Sequence, residues 1–325
     1  MGKLHISSTP HIHQKGSSTR NIMLDVVIAM LPATLAGIVI FGLQALWVVL
    51  TCVASAVLAE FLFNLCVGKK QTVGDLSAVV TGLLLALNLS VNVPLWQCAV
   101  GSVFAIVVVK CFFGGLGKNI VNPAITARVF MLLTFSSVAA VVKVAPLFDL
   151  GFMGQAVPEI AAGATPLASL NQGAEVAAKE APSVLQLLVG VHGGTIGETC
   201  AIALLIGFAY LVIRKVIKWY VPTAYVATVF ACYFLFDGFN AVFALQHVLA
   251  GGLLLGAIFM ATDYVTTPNT GLGRVIFCVG AGLLTFAIRS FGTFPEGVSI
   301  AILTMNLLTP FISDWTKRKT LGGVK

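Results

Sequence analysis

The chain has 325 residues, 58% of them hydrophobic and only 10% charged. Soluble globular domains carry roughly 25% charged residues, so an ordinary soluble domain is excluded. The net charge of +7 does not indicate nucleic acid, because the basic residues sit at the ends of apolar runs rather than in one patch. That placement is the orientation signal of a polytopic protein surrounded by membrane lipid.

Residues 1–21 are polar and the first apolar run, 22–41, is long with no small-x-small site after it, so no cleavable leader is expected. Apolar length then predicts about ten spans: 22–41, 45–67, 75–90, 95–112, 120–142, 197–213, 221–236, 241–261, 275–290 and 297–312. The third ends in the polar, proline-closed stretch Asn88 to Pro94, and the eighth in Thr262 to Pro268. Interrupted segments in matching places of two halves predict broken helices that line a site. Between the fifth and sixth runs lies 143–196, a polar, Gly/Ala-rich loop longer than compact folds ordinarily leave without a role.

Basic residues fix an expected orientation. With the N-terminus in the cytoplasm, Lys69, Lys70, Lys118, Arg214, Lys215, Lys218, Arg274 and the 317–319 tail all fall on the same side, and 143–196 falls outside. Five spans before the loop and five after it make any repeat an inverted one. Lys110 to Gly115 is echoed by Arg289 to Thr293, the first beginning 16 residues after the helix-breaking Pro94 and the second 21 after Pro268. The expected plan is therefore all-α: a tail (1–21), a five-helix half (22–142), an external loop (143–196), an inverted five-helix half (197–312) and a cytoplasmic tail (313–325).

An ionisable residue at the middle of a membrane helix costs about 2.5–3.5 kcal/mol on the insertion scale, so each is a functional candidate. Glu60, Arg128, Glu198, Asp263, Arg289 and Glu296 qualify. Of these Glu60, Glu198 and Asp263 are candidates for an ion path, and Asp263 is singled out by Thr266 and Thr267 beside it. The alternative is mutual pairing, or a long side chain reaching the interface. The seven cysteines are scattered through apolar runs without a C-x-x-C, which predicts small packing residues rather than a cluster or disulfide framework. His11-x-His13 lacks acidic or cysteine neighbours, no metal site is expected, and no catalytic triad is discernible. On the inverted five-helix plan alone, a non-redox channel or secondary transporter of urea-channel-like fold is one reading.

Several motifs in combination carry a family resemblance that covers nearly the whole chain. They are Ser8-Thr9-Pro10-His11, Gly114 to Ala124 (GGLGKNIVNPA), Gly163-Ala164-Thr165-Pro166-Leu167, Gly193 to Glu198, Gly256 to Asp263, and Phe291 to Gly297 followed by Met305-Asn306. Together they resemble the D subunits of Rnf ion-translocating ferredoxin:NAD⁺ oxidoreductases, relatives of the B subunit of the Na⁺-pumping NADH:quinone reductase. The resemblance implies a bacterial cytoplasmic (inner) membrane location with both termini cytoplasmic, and a place beside the other Rnf subunits (A, B, C, E and G). It implies a translocase subunit that is not a complete enzyme alone, passing electrons between ferredoxin-side and NAD-side partners with coupled Na⁺ or H⁺ movement. It also implies FMN esterified to Thr165 by a flavin transferase, and a second, non-covalent flavin, riboflavin. Around Thr165 the family's usual Asp and Ser/Thr are replaced by Glu159 and Ala162. Combined with the expected topology, Asn119, Asn122 and Thr267 are placed with riboflavin toward the cytoplasm, near Asp263. Asn88, Asn92 and Glu296 are placed with the FMN toward the outside.

Overall fold

The computed structural model describes residues 18–135, 138, 167, 170, 182–190, 192–292 and 296–317, and its elements are all helices. In chain order these are α1 (Thr19–Phe41), α2 (Leu43–Val67), α3 (Ser77–Leu87), α4 (Leu95–Cys111), α5 (Pro123–Thr134), α6 (Val184–Val189), α7 (Ala201–Ile213), α8 (Tyr220–Phe236), α9 (Ala241–Leu249), α10 (Leu253–Met260), α11 (Gly271–Phe291) and α12 (Val298–Trp315). Local chemistry sets several of the starts. The Asn122 side chain accepts from the first amides of α5 with proline at its first turn, and Asn240 and Thr270 cap α9 and α11 in the same way. α4 widens to a π-helix from Phe104 and α10 from Gly256.

Four helices, α1, α2, α11 and α12, are long and apolar enough to cross a membrane singly, and α9 with α10 makes a fifth span bent by 68°. Helices α3, α4, α5, α7 and α8 are apolar but only 10–17 residues long. Large apolar side chains such as Leu35, Leu43, Leu58, Ile213 and Phe311 face outward, while Glu60, Asn88, Lys110, Arg128, Arg289 and Asn306 are buried. That is the pattern expected where the surrounding solvent is hydrocarbon and polar groups must find partners within the protein.

The expected eighth run is not one straight rod. It breaks at residues 250–252, within the apolar part, as well as at 261–270 where the polar stretch predicted an interruption. The third run is helical only over Ser77–Leu87, and the long loop contains the short helix α6 before the chain returns to α7. All seven cysteines are free, but Cys66 is exposed rather than packed inside.

Packing follows a pattern. α1 lies on α7 and α5 on α12; α2 packs on α3 and α4 as α8 packs on α9 and α11; α4 meets α5 as α11 meets α12. The α1–α7 contact is close because Gly207 has no side chain: a Cβ there would lie 2.2 Å from the Ala29 carbonyl oxygen. Gly207→Ala is therefore expected to cost about 1–3 kcal/mol through overpacking. Thermal unfolding of the detergent-solubilised chain reads this, and an unchanged Tm would mean that the two helices do not touch.

Candidate functional site

Two polar centres lie inside the helical shell, one toward the face where α1 begins and one toward the opposite face. The first is a cleft of about 790 Å³, counting its open mouth. Its walls are Met23 and Val26 of α1, Ser77, Thr81 and Leu84 of α3, Leu211 of α7 and Phe259 of α10, and its polar rim is Lys110, Asn119, Asn122 and Asp263. The glycine-rich turn after α4 places Asn119 there. Gly114, Gly115 and Gly117 all take positive φ, at 107°, 94° and 87°, a backbone path that side-chain-bearing residues rarely follow. The Asn119 side-chain oxygen is buried and has no hydrogen-bond partner among the described residues. Asn122 differs: its side-chain oxygen accepts from the Ala124 and Ile125 amides at 3.0 and 3.3 Å, so it starts α5.

Asp263 is held at the rim by the Val265 amide (3.3 Å) and the Thr266 hydroxyl (2.9 Å). Thr267 gives its hydroxyl to the Asp263 carbonyl and lines a neighbouring cleft on the same face. Asn306 of α12, its amide turned to suit both neighbours, accepts from the Asn122 amide at 3.2 Å and donates to the Thr266 carbonyl at 3.1 Å. It thereby joins the two polar stretches that frame the cleft.

Beside the cleft Glu60 and Lys110 form a buried ion pair at 2.8 Å. The remaining valences are filled: Thr72 donates to Glu60 at 2.6 Å, Asn64 donates to Thr72 at 3.0 Å, and Lys110 donates to Ser77 at 2.6 Å. Glu60 is thus engaged in a network that ties α2, α3 and α4 together, the pairing alternative weighed from sequence.

The second centre forms around the break between α9 and α10. Arg289 donates to the His247 carbonyl (2.7 Å), the Ala250 carbonyl (3.2 Å) and the Glu296 carbonyl (3.2 Å), so a cation meets the end of α9. Glu296 accepts from the Gly252 amide at 2.9 Å, so an anion meets the start of α10. Each charge opposes the partial charge of the helix end that it faces, and together they satisfy backbone groups that hydrocarbon would not. Arg128 of α5 bridges the Glu296 carboxylate and the Asn88 side-chain oxygen at the end of α3. Glu198 accepts from the Thr195 amide at 2.9 Å and lies beside Glu296. The stretch carrying it docks on the end of α3 through Ile196 N–H to Leu89 O (3.0 Å) and Gly197 N–H to Leu87 O (2.8 Å).

The residues named from sequence therefore divide as follows. Asn119, Asn122 and Asp263 meet at the cleft, with Thr267 next to it. Asn88, Glu198 and Glu296 meet at the second centre. Asn92 is half-buried in the turn after α3. Thr165 lies outside the described residues, as does most of its loop. Sequence reasoning passed over Lys110, because a basic residue near the end of an apolar run reads as an interfacial anchor. Asn306 was named only within the Met305-Asn306 motif and was given no role at a site.

Comparison with known proteins gives the family. The family model described as "NQR2, RnfD, RnfE family" matches residues 5–322. The chain is 44% identical over 324 residues to the D subunit of the Na⁺-translocating ferredoxin:NAD⁺ oxidoreductase complex of Acetobacterium woodii, covering 99% of this chain and 96% of that one. It is 37% identical to the D subunit of the proton-translocating ferredoxin:NAD⁺ oxidoreductase complex of Clostridium ljungdahlii, covering 98% and 96%. It is 36% identical to the D subunit of the ion-translocating oxidoreductase complex of Stutzerimonas stutzeri, covering 94% and 93%. With the match running almost end to end over a helical membrane protein, the chain belongs to the NQR2, RnfD, RnfE family.

Proposed function

We propose that this chain is the flavin-carrying membrane subunit of an ion-translocating ferredoxin:NAD⁺ oxidoreductase, moving electrons across the bilayer with coupled Na⁺ or H⁺ transfer. The observation that carries the reading is the cleft. It has mostly apolar walls with a few placed polar groups, the lining usual for cofactor sites, and one buried acceptor, Asn119 Oδ1, without a partner among the described residues. A riboflavin ring fits that chemistry: Asn119 would accept from the ring edge, while Met23, Leu84 and Phe259 would hold its faces and keep water away. FMN esterified to Thr165 is the second flavin of the proposal. Bound flavins supply one- and two-electron redox chemistry; the chain's own residues orient the ring and set its surroundings.

The remaining details belong to the same proposal. The matched packing of α1–α5 against α7–α12 supports two inverted five-helix halves, with α9 and α10 together as the third span of the second. Among the described residues the exposed Lys and Arg gather at the face where α1 begins, which supports a cytoplasmic N-terminus. Glu198 and Asp263, one at each centre, remain candidates for the ion path, and the other Rnf subunits and a flavin transferase are the expected partners. The energetics are permissive. Moving one charge against 100 mV costs about 2.3 kcal/mol, and for a two-electron couple 30 mV is about 1.4 kcal/mol. A drop of roughly 50 mV per electron pair offsets one ion.

The test is the full chain coexpressed with a flavin transferase. In-gel fluorescence after SDS is expected from the wild type and absent from Thr165→Val. Asn119→Ala is expected to lose only the flavin that denaturation releases. A colourless wild-type chain with no added mass would end the redox reading and leave a pore as the better account.

A further inference from the structure

Next to the Asn119 cleft lies a second one, of about 490 Å³ counting its open mouth, between the α7–α8 turn, residues 262–267 and the start of α11. Three cations line it: Lys215, Lys218 and Arg274. The four ion pairs among the described residues use none of them. Their groups remain available. Arg274 spends only its Nε, on the Pro268 carbonyl at 3.0 Å, and Lys218 rests over the Tyr220 ring at 5.8 Å. Lys215 takes a φ of +58°, a left-handed conformation uncommon for a residue with a side chain. The nearby carboxylate, Asp263, is already engaged by Val265 and Thr266.

The depth of the cleft narrows what would fill it. Trp219 beside it and Trp315 at the end of α12 are 63% and 83% exposed, as in the aromatic belt at a membrane surface. The Thr270 and Thr316 hydroxyls contact each other at 2.5 Å, which puts the α12 end next to the α11 start. Ile213, the last residue of α7 and two before Lys215, and Ile276, two residues after Arg274 on α11, lie deeper along their helices and present apolar side chains outward. Cations at headgroup level above an apolar outer surface match one ligand: a phosphate whose remainder is hydrocarbon. A guanidinium fork and two ammonium groups suit phosphate oxygens, and basic pockets between membrane helices take such headgroups.

We propose that Lys215, Lys218 and Arg274 form a phosphate site filled by the headgroup of an anionic phospholipid. The site shares the walls Val216, Ile217, Thr262 and Tyr264 with the Asn119 cleft, but its three cations line only the second cleft and the proposal does not depend on flavin being bound.

The test uses the full chain in detergent, with cardiolipin, phosphatidylcholine or inorganic phosphate added and thermal stability read at each concentration. Cardiolipin is expected to raise the Tm at low salt and phosphatidylcholine to leave it unchanged. Lys215→Gln with Lys218→Gln is expected to weaken the cardiolipin response on the order of 25-fold, about fivefold per cation. Both lysines are exposed, so this variant keeps its fold, and the Lys→Arg pair should keep the response. Lys69→Gln with Lys70→Gln, elsewhere on the same face, should leave it unchanged. A cardiolipin response that survives in the K215Q/K218Q variant, or no response in the wild type, overturns the site. An equal Tm gain from inorganic phosphate alone overturns the lipid and assigns the site to a soluble phosphate.

Discussion

Lys110→Met is expected to destabilise the detergent-solubilised chain by about 3–5 kcal/mol, the usual cost of removing one partner from a buried ion pair. Lys110 and Glu60 are both about 2% exposed, and the substitution leaves a carboxylate held only by the Thr72 hydroxyl. The double variant Glu60→Gln, Lys110→Met should recover most of the loss, since exchanging a whole buried pair for groups of similar size is often nearly neutral. SDS-titration unfolding of the four members of this cycle gives the coupling directly. A double variant whose destabilisation equals the sum of the two singles would mean that the pair is not formed. Because Lys110 also anchors Ser77 at the start of α3, the single variant should lose the releasable flavin proposed for the cleft before it unfolds.

Arg128→Lys is expected to behave nearly as badly as Arg128→Met. Arg128 is 4% exposed and uses two separate nitrogens, one on Asn88 and one on Glu296. An ammonium group is a single compact charge and does not span both as a planar fork does. Losing the guanidinium leaves Glu296 facing Glu198 with Arg289 turned to backbone carbonyls, at a cost of about 3–5 kcal/mol. Adding Glu296→Gln to Arg128→Met should return part of it. If lysine at 128 restores wild-type unfolding, charge alone suffices and the bridging geometry is unimportant.

Sequence made the polar interruptions legible because hydrocarbon leaves few reasons for an asparagine or carboxylate inside an apolar run. Asn88, Asp263 and Glu296 stood out for that reason, and each lies at one of the two centres. Other features had no such signal. The α9–α10 bend occurs at Ala250-Gly251-Gly252, where composition stays apolar and only the distant Arg289 and Glu296 make a break tolerable. Asn119 and Asn122 looked equivalent in the motif, yet one caps a helix and the other is left with an unmatched oxygen. That distinction depends on where α5 begins in three dimensions. The clustering of Lys215, Lys218 and Arg274 was likewise hidden, since in sequence they read only as orientation signals.

The two polar centres are close together along the helices that join them. On α5 Asn122 borders the cleft and Arg128 belongs to the far centre; six residues of helix rise about 9 Å. A bilayer's apolar slab is about 30 Å thick. The backbone separation of the two polar centres along α5 is thus on the order of one-third of the slab. A group held at one centre has along α5 only about that third of the slab between it and the other centre.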